Sequence, residues 1–456
     1  MRPRPKILLW AAIAAYAVGF GALSILQYRA YNTGRFDLGN MAQAVWATAH
    51  GHPLEVTNLQ GDQVSRLGSH VDPILVAFAP IWWIWPSAAM LVATQAVAIA
   101  LGALPVFWLA RKHLGSEQAA LGFALACPLL LFAFWYLDED RLGAFALFAL
   151  LAALTKEEIP LVIAGMGVWY AISRRQWRIG GAIAALGFCL TAISVRVVLP
   201  HFNEGATSSF YARYGTLGHS PGGILETLFT DPGKVLSTAF DGEGFHYLLD
   251  LFVPLLLLVV ASPVVLVAAL PELGLNLLSA TDTQSSIHHH YTAGLIPPLI
   301  VATVLGAARL TRSRPGLRMP LATTLVAVMV AANYLLGAVP VWRGLPGGQT
   351  YRAYAAHVAT HDRITDRALR MIPDGAVVSA TNSLGSKLSG RRRFLSFPYI
   401  RDAQWVAADE TQPGYADRWD PPATAEALAR LRRNPSWRLV FSDDGVLVFR
   451  RTTRSR

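Results

Sequence analysis

The stretch ILLWAAIAAYAVGFGALSIL, residues 7 to 26, sets the fold class because it runs for a full membrane-crossing length without a charge. A helix needs about 20 apolar residues to cross the hydrocarbon core of a bilayer. Arg2, Arg4 and Lys6 precede it, as is typical of a cytoplasmic flank. A signal peptide begins in the same way, but this run is long and no clear cleavage site follows. The pattern therefore predicts an uncleaved first span with a cytoplasmic N-terminus.

Similar apolar runs recur along the chain of 456 residues, which is 53% hydrophobic and 15% charged, with a mean hydropathy of +0.38. Soluble proteins carry about 25% charged residues. The sequence therefore predicts a polytopic α-helical membrane protein with about ten or eleven spans. The predicted spans cover residues 7–27, 88–110, 117–137, 142–154, 158–172, 179–199, 246–262, 263–281, 291–308 and 318–338.

The net charge of +10 does not indicate nucleic-acid binding, because much of the Lys and Arg lies in short loops between spans. Both cysteines, Cys127 and Cys189, fall in apolar segments, which argues against a disulfide framework or a thiolate metal site. The Ala- and Arg-rich, Lys-poor composition suggests a GC-rich genome, and the expected location is a bacterial plasma membrane.

Two polar regions interrupt the predicted spans. Residues 28–72 form a long first outer loop, followed at 72–86 by a short apolar segment with three prolines. Its tryptophans, Trp82, Trp83 and Trp85, favour an interfacial or half-inserted helix. The chain turns polar near residue 343, which predicts a membrane domain at 1–342 and a soluble extracytoplasmic domain at 343–456.

The predicted C-terminal domain is of the α/β class. Helical periodicity covers Arg352–Met371 and Pro422–Arg433. Short strands are predicted at 376–379, 394–397, 405–408, 439–441 and 446–449. Ser442-Asp443-Asp444-Gly445 separates the last two and is a hairpin turn signal.

The orientation of the loops conflicts with a simple count of spans. If residues 72–86 stay outside, Arg111-Lys112-His113 lies inside, but the clusters at 174–178 and 309–314 fall outside, against the positive-inside rule. If 72–86 spans, only the cluster at 111–113 is misplaced. A third interpretation is that two helices have merged near 117–137.

Asp37, in the first outer loop, is the leading candidate for chemistry. A carboxylate there suits a general base, or a ligand for a divalent cation together with Asp72. The alternative is that Asp37 caps a helix beginning at Leu38. Arg35 and Gln43 lie close enough in sequence to join the same surface.

His70 and Asp72 make a second polar arm that could bind phosphate or metal. They share a side only on an extended chain, which Pro73 favours. The alternative makes Asp72 the cap of a helix with Pro73 as its first residue.

Charged residues also interrupt the later spans. Lys156, Glu157 and Glu158 separate two apolar segments, so they must lie at an interface or in a wet cavity. Thr155 with Glu158 also fits a capping box, which Pro160 weakens. Before a later span come His288, His289, His290 and Tyr291. Three adjacent histidines cannot all bind one ion from a helix, so one or two are expected to contact a phosphate, or to form a polar loop anchored by Tyr291.

Taken together, these segments resemble the bacterial membrane proteins grouped as domain of unknown function 2079, over nearly the whole chain. The resemblance rests on their order along the chain. Its main elements are Phe36-Asp37-Leu38-Gly39 with Gln43 and Trp46, Gly68-Ser69-His70 with Pro73, Gln95 to Pro105, Lys156-Glu157-Glu158, His289-His290-Tyr291 with Pro297, Ile372-Pro373, Val377 to Ala380 with Asn382, Leu388 and Arg391, and Phe397-Pro398.

That family is similar to the GT-C superfamily of integral-membrane glycosyltransferases. The resemblance implies a polyprenyl-phosphate sugar donor, a lipid or glycan acceptor, and a catalytic base in the first outer loop, here Asp37. It leaves Arg35, Gln43, His70, Lys156, Glu157, Glu158, His289, His290 and Tyr291 as candidate substrate-binding residues. Any cofactor would be a divalent cation, Mg²⁺ or Mn²⁺.

The chain departs from the family pattern in one place. Family members have two helices before the Lys-Glu-Glu loop, joined by an outer loop, whereas Ala119 to Leu137 runs straight through Ala126-Cys127-Pro128. This predicts a deletion of about twenty residues, the length of one span. Two further functions stay open: a membrane transporter, and a non-catalytic envelope scaffold or binding protein.

Overall fold

The computed structural model describes residues 5–123, 128–203, 209–215, 217, 218, 221–337, 339, 342, 344–347, 355 and 357–452. The chain forms two compact units. Unit 1 contains residues 1–17, 69–71 and 97–353, and unit 2 contains residues 18–68, 72–96 and 354–456. Most of the polar first loop thus belongs to the same unit as the C-terminal tail.

Helices dominate the chain, and the strands lie in unit 2. The α-helices are α1 (Pro5–Arg29), α2 (Asn40–Ala49), α3 (Ala79–Ile84), α4 (Ala89–Leu101), α5 (Ala103–Leu114), α6 (Glu117–Phe123), α7 (Pro128–Asp138), α8 (Leu142–Ala153), α9 (Ile159–Arg174), α10 (Trp177–Ile193), α11 (Leu199–Phe202), α12 (Pro221–Thr230), α13 (Pro232–Ala239), α14 (Gly242–Phe252), α15 (Pro263–Leu266), α16 (Leu270–Leu277), α17 (Ile296–Leu310), α18 (Arg318–Leu336), α19 (Thr360–Leu369), α20 (Gly385–Leu388) and α21 (Pro421–Arg433). The strands are β1 (Glu55–Thr57), β2 (Gln63–Ser65), β3 (Val378–Ala380), β4 (Phe394–Ser396), β5 (Trp405–Asp409), β6 (Trp437–Asp443) and β7 (Val446–Arg451).

Within the described residues, four helical stretches are long and apolar enough to cross a membrane: Pro5–Arg29, Ala89–Leu114, Trp177–Phe202 and Pro315–Leu336. Shorter apolar helices include α8, α9 and α17. These lengths and compositions fit a multi-pass membrane protein. The predicted total of ten or eleven spans is larger than the number of full-length helices.

Several helices of unit 1 end around one buried carboxylate. Asp138, the last residue of α7, accepts hydrogen bonds from Lys112 at 2.6 Å and Arg174 at 2.9 Å, and its Oδ2 lies 3.0 Å from Nε2 of His113. Lys112 and Arg174 lie in the last turns of α5 and α9. The C-terminal ends of α5, α7 and α9 therefore meet at one end of unit 1, here called the basic end.

The segment from α6 to α7 also starts and finishes at the basic end. Glu117 begins α6 and pairs with Arg111 near the end of α5 at 3.3 Å, while Asp138 ends α7 beside Lys112. The chain must therefore leave the basic end and return to it. The prediction of a single span at 117–137 is wrong, and the interpretation of two merged helices is favoured. Residues 124–127, between α6 and α7 in the sequence, lie outside the described residues.

The predicted spans 246–262 and 263–281 are broken into short pieces, so their prediction as continuous helices is wrong. Helix α14 ends at Phe252, and Leu256 and Leu257 both have left-handed backbone angles, with φ of 53° and 55°. Pro254 explains the break, because proline lacks an amide proton and disfavours helical geometry in the preceding residue. Pro263 and Pro271 similarly stand in the first turns of α15 and α16.

Unit 2 contains a five-stranded sheet in the order β4-β3-β5-β7-β6. Strands β4, β3 and β5 are parallel, and β7 and β6 are antiparallel to their neighbours. Asp444 and Gly445 connect β6 to β7 with positive φ values of 49° and 78°, as a type I′ hairpin requires. The predicted hairpin is therefore confirmed. The predicted helix at 352–371 begins only at Thr360; residues 352–354 and 356 lie outside the described residues.

The first loop contributes to the core of unit 2. Tyr31 is buried among the apolar residues of the tail domain, and its hydroxyl donates to Asp366 at 2.6 Å. The segment at 72–86 forms a 3-10 helix at Pro73–Phe78 and then α3. Trp82 is buried, while Trp83 and Trp85 are exposed. An interfacial position for this segment stays a prediction.

Candidate functional site

The loop between α8 and α9 carries the Lys-Glu-Glu sequence. Thr155 donates its hydroxyl to the Ala152 carbonyl at 2.6 Å, and Glu158 stands at the N-cap of α9 without a side-chain capping bond. The alternative of a Thr155–Glu158 capping box is therefore wrong. Glu158 instead pairs with Lys156. Lys156 and Glu158 are therefore turned toward each other.

Glu157 binds the short segment that carries His70. Its Oε2 accepts a hydrogen bond from the Val71 amide at 3.0 Å, and its Oε1 lies 3.3 Å from Nδ1 of His70. Burial alone would raise the pKa of Glu157, but the hydrogen bond and the charge of His70 lower the pKa below its usual value. Glu157 is therefore ionised at neutral pH and holds His70 in place.

Tyr291 stands between two cations. The Lys156 ammonium lies 5.6 Å from the centre of its ring, and the Arg213 guanidinium lies 5.3 Å from it. Arg213 also donates to the Tyr291 hydroxyl at 3.1 Å, and the ring of the exposed His290 lies 4.2 Å from that of Tyr291. Lys156, Arg213 and the Tyr291 hydroxyl therefore lie close together, and Lys and Arg side chains make charge-assisted hydrogen bonds to phosphate.

Glu272, in α16, adds a carboxylate that the sequence analysis missed. It is 5% exposed, and within the described part of the chain its Oε2 has no hydrogen-bond partner. Lys156, Glu157 and Glu158 all act electrostatically on it. The available signal was a carboxylate inside an apolar run, since such a residue in a membrane protein usually marks a functional position.

Asn276 connects α16 to two tyrosines near Glu272. One turn after Glu272 on α16, it donates to the Tyr247 hydroxyl at 2.9 Å and to the Tyr291 carbonyl at 3.0 Å. The structure thus brings together most of the predicted residues of unit 1. We name this set the acid–base cluster, and it comprises His70, Lys156, Glu157, Glu158, Arg213, Glu272, His290 and Tyr291. His289 adjoins it in sequence, and its binding role stays a prediction.

Asp37 lies in unit 2, on a single π-helical turn at Arg35–Gly39 that leads into α2. It is exposed, and α2 begins only at Asn40. The alternative that Asp37 caps a helix starting at Leu38 is therefore wrong. Isolated π turns are frequently found at functional sites.

Beside Asp37, three aromatic rings pack together, of which those of Tyr415 and Trp419 are exposed and that of Phe36 is half-buried. The ring of Phe36 stacks on that of Trp419 with centroids 5.5 Å apart and an interplanar angle of 15°. Tyr415 meets both rings edge-on at 6.5 and 5.7 Å. Trp419 is 65% exposed and Tyr415 is 48% exposed. We call these three residues the aromatic platform; sequence patterns gave no sign of it, because Phe36 and Trp419 are far apart in the chain.

A hydrogen-bonded chain fixes the platform. Asp417 accepts from the amides of Asn382 and Gly414 at 2.6 and 2.8 Å. The side-chain oxygen of Asn382 in turn accepts from the Arg35 amide at 3.0 Å. The first loop and the tail are therefore joined at the place where Asp37 is presented.

Arg35 and Gln43 make their observed contacts inside unit 2. Arg35 is 1% exposed and donates to the carbonyls of Thr57 and Phe394 at 2.7 and 2.8 Å. Burial lowers its pKa to about 9. Gln43 donates to Thr57 and to the Arg392 carbonyl, both at 3.0 Å. These contacts connect the first loop to β4, and a substrate-binding role for either residue stays a prediction.

Asp72 forms a buried ion pair with Arg66. The guanidinium reaches both carboxylate oxygens, at distances of 2.6 to 3.0 Å. Asp72 occupies the N-cap position of the 3-10 helix that begins at Pro73, as the alternative predicted, but its carboxylate makes no capping hydrogen bond and pairs with Arg66 instead. Among the described residues, no group of three or more His, Cys, Asp or Glu could hold a metal ion. Metal binding by Asp37 and Asp72 stays a prediction without a supporting contact.

Comparison with known proteins gives a family but no activity. Residues 27–126 and 122–448 match a family described as predicted membrane protein (DUF2079). No curated protein matches the chain. The family match falls into two pieces that meet at residues 122–126, between α6 and α7. The two pieces overlap at the place where the sequence predicts a deletion, and the structure has two short helices there, α6 and α7.

Proposed function

Because the chain belongs to the DUF2079 family of predicted membrane proteins, we propose a function for its acid–base cluster and for Asp37. The protein would be an integral-membrane glycosyltransferase that moves a sugar from a polyprenyl-phosphate donor to a lipid or glycan acceptor outside the plasma membrane. The observation that carries the proposal is that Lys156 and Arg213 both lie against the ring of Tyr291, beside the buried carboxylate of Glu272 and the half-buried carboxylates of Glu157 and Glu158.

The basic end of unit 1 supports this orientation. Arg111, Lys112 and Arg174 lie there, and Arg309 donates to the Ala261 carbonyl beside them at 2.9 Å. Positive clusters face the cytoplasm. The Lys-Glu-Glu loop stands at the other end of α9, about 24 Å from Arg174 along the helix axis. The acid–base cluster then faces outward, and the orientation conflict in the sequence disappears.

The acid–base cluster is suited to bind the phosphate of the sugar donor. In glycosyl transfer, the bond between the anomeric carbon and the phosphate oxygen breaks, and negative charge builds on the leaving phosphate. Fixed cations and hydrogen-bond donors lower the energy of that state. Lys156, Arg213 and His290 supply such groups, and Glu157 positions His70 to join them.

Asp37 is suited to deprotonate the acceptor hydroxyl. An acceptor hydroxyl attacks the anomeric carbon and must lose its proton, which an ionised carboxylate can take. The aromatic platform beside Asp37 offers flat apolar faces of the kind that stack on sugar rings. Asp37 is then the general base, and Trp419 and Tyr415 position the acceptor sugar.

A second function, ion-coupled transport, is favoured by one observation. Glu272 is a buried carboxylate in an apolar helix, and its Oε2 has no hydrogen-bond partner among the residues that the structure describes, which is also typical of ion pathways. Transport gives Asp37 and Trp419 no role. Variants at those two positions therefore separate the two functions.

The test is transfer of a radiolabelled sugar from polyprenyl phosphate to envelope lipids and glycans by the full-length protein in proteoliposomes. We expect Asp37→Asn to reduce transfer at least about a hundredfold, the lower range for loss of a general base. Asp62→Asn is the matched control, because Asp62 is an exposed carboxylate of the same loop. Absence of transfer by the wild-type protein, or full transfer by Asp37→Asn, would overturn the proposal.

A further inference from the structure

The basic end of unit 1 contains an open cavity of about 240 Å³. It lies where α5, α7, α9 and α17 end and α15 begins, far along α9 from the acid–base cluster. Its polar lining consists of His113, Asp138, Ser173, Arg174, Ser262 and Arg309. Trp169 and Leu305 form an apolar wall on the same cavity.

Positive charge exceeds negative charge around this cavity. Asp138 is shared by Lys112 and Arg174. Arg309 donates only to the Ala261 carbonyl, and among the described residues no carboxylate pairs with it. Cations at helix C-termini are stabilised by the helix dipole, which accounts for part of the pattern. The helix dipole does not explain why the imidazole of His113 and the hydroxyls of Ser173 and Ser262 line the same cavity as the two arginines.

We propose that this cavity binds the phosphate of an anionic phospholipid from the inner leaflet. The two guanidiniums and the hydroxyls match phosphate oxygens, since arginine binds phosphate through charge-assisted hydrogen bonds. The wall of Trp169 and Leu305 matches the glycerol and the first carbons of the acyl chains. Basic pockets between helices on the cytoplasmic side are known to hold acidic lipid headgroups. The cavity is too small for a whole lipid, so the acyl chains would lie outside it.

The lipid phosphate would add a further link between helix ends that already share Asp138 and the Arg309–Ala261 hydrogen bond. Binding to the folded state raises its stability by mass action. The site therefore makes the stability of unit 1 depend on the membrane's anionic lipid. This inference does not rest on glycosyl transfer and survives if that proposal fails.

The test is the thermal unfolding midpoint of the full-length protein in neutral detergent with added phosphatidylglycerol. Phosphatidylcholine at the same mole fraction is the lipid control, and glycerol 3-phosphate tests a soluble source. We expect phosphatidylglycerol alone to raise the midpoint. Equal effects of both lipids would overturn the proposal, and an equal effect of glycerol 3-phosphate would assign the cavity to a soluble phosphate.

Variants locate the effect. Arg309→Gln should raise the half-saturating phosphatidylglycerol concentration about tenfold, which corresponds to the loss of one charge-assisted hydrogen bond. Arg314→Gln removes an exposed charge from the neighbouring loop, outside the cavity lining, and should change it little. Similar behaviour of the two variants would contradict a specific site. Should Arg309→Gln fold poorly, Ser262→Ala gives the same comparison, and native mass spectrometry of the wild-type protein shows whether phosphatidylglycerol is retained over phosphatidylcholine.

Discussion

Lys112, in the last turn of α5, donates to the carboxylate of Asp138, the last residue of α7, over 2.6 Å. The two residues are separated by a helical segment that must therefore leave the basic end and return to it. A single span would have put them on opposite sides of the membrane. This one contact changes the assignment of every later loop, because each crossing after residue 138 is counted from it.

The contact predicts the sidedness of the loops. Single cysteines at Arg111, Glu139, Arg175 and Arg314 should react only with reagents that enter the cytoplasm, and one at Glu157 or His289 should react from outside. The native cysteines would first be replaced, as Cys127→Ala and Cys189→Ala. Labelling of positions 111 and 139 from opposite sides would contradict the hairpin of α6 and α7.

Asp138 is expected to stabilise unit 1. Asp138→Asn leaves Lys112 and Arg174 without their shared carboxylate, and breaking a buried ion pair costs about 3–5 kcal/mol. These two partners are one-third exposed, so we expect a loss of about 2 kcal/mol in detergent. The measurement is the denaturant midpoint.

Glu139→Gln is the matched control for Asp138. Glu139 also contacts Lys112, at 2.6 Å, but its side chain is 34% exposed. Exposed ion pairs contribute less than about 1 kcal/mol. Equal losses from the two variants would show that Asp138 does not hold the helix ends together.

Sequence patterns within a single segment correctly predicted those helices and turns that are determined by the residues of that segment. The apolar runs of α8 and α9 and the Asp444-Gly445 turn are determined by residues within each segment, and the structure has them where the sequence predicted. The break at Leu256–Leu257 was missed because apolar composition outweighed Pro254 in the prediction. An apolar run shows where the chain prefers lipid, whereas proline decides whether a helix continues through it.

The candidate site was predicted less well because its parts are distant in sequence. The loop at 155–158 and the histidines at 289–290 were found as charges between spans. Glu272 was hidden in an apolar run. Trp419 belongs to no recognisable sequence pattern, and only its stacking on Phe36 in the structure identifies it. Pairings of this kind depend on tertiary packing, which periodicity does not report.

The ion pair of Asp72 with Arg66 is predicted to be structural. Both side chains are at least 92% buried, so Asp72→Asn should cost unit 2 about 3 kcal/mol. Asp62→Asn, in an exposed pair with Arg401, should cost less than about 1 kcal/mol. The measurement is the thermal midpoint with and without Mg²⁺. A Mg²⁺-dependent shift lost only in Asp72→Asn would instead support the metal site that the sequence predicted.

His361 should make the stability of unit 2 depend on pH. Its ring nitrogens lie 2.9 Å from Asp409 and 2.9 Å from Asp444. Burial alone would lower the pKa of His361, but the two carboxylates raise the pKa above its usual value. The protonated ring therefore stabilises the fold fully below the unfolded pKa of about 6.5, and this stability is lost as pH rises through the folded pKa.

The corresponding measurement is the thermal midpoint of the full-length protein from pH 5.5 to 8.5, in steps of about half a unit around the histidine range. The midpoint should fall with rising pH in the wild-type protein, and His361→Gln should remove that part of the slope. His357→Gln, at an exposed position, is the control. An unchanged slope in His361→Gln would show that the pair of carboxylates does not retain the proton.

Trp419 gives the sharpest test of the acceptor side. Because its ring is 65% exposed and stacks on Phe36 beside Asp37, Trp419→Ala should leave unfolding nearly unchanged. Loss of one stacking surface costs about 1–1.5 kcal/mol, so the KM for the acceptor should rise roughly tenfold. Asp37→Asn should instead lower kcat, because it removes the base and leaves the platform intact. Trp419→Phe keeps an aromatic face and should recover most of the affinity. A fall in kcat without a change in KM for Trp419→Ala would place the acceptor sugar elsewhere.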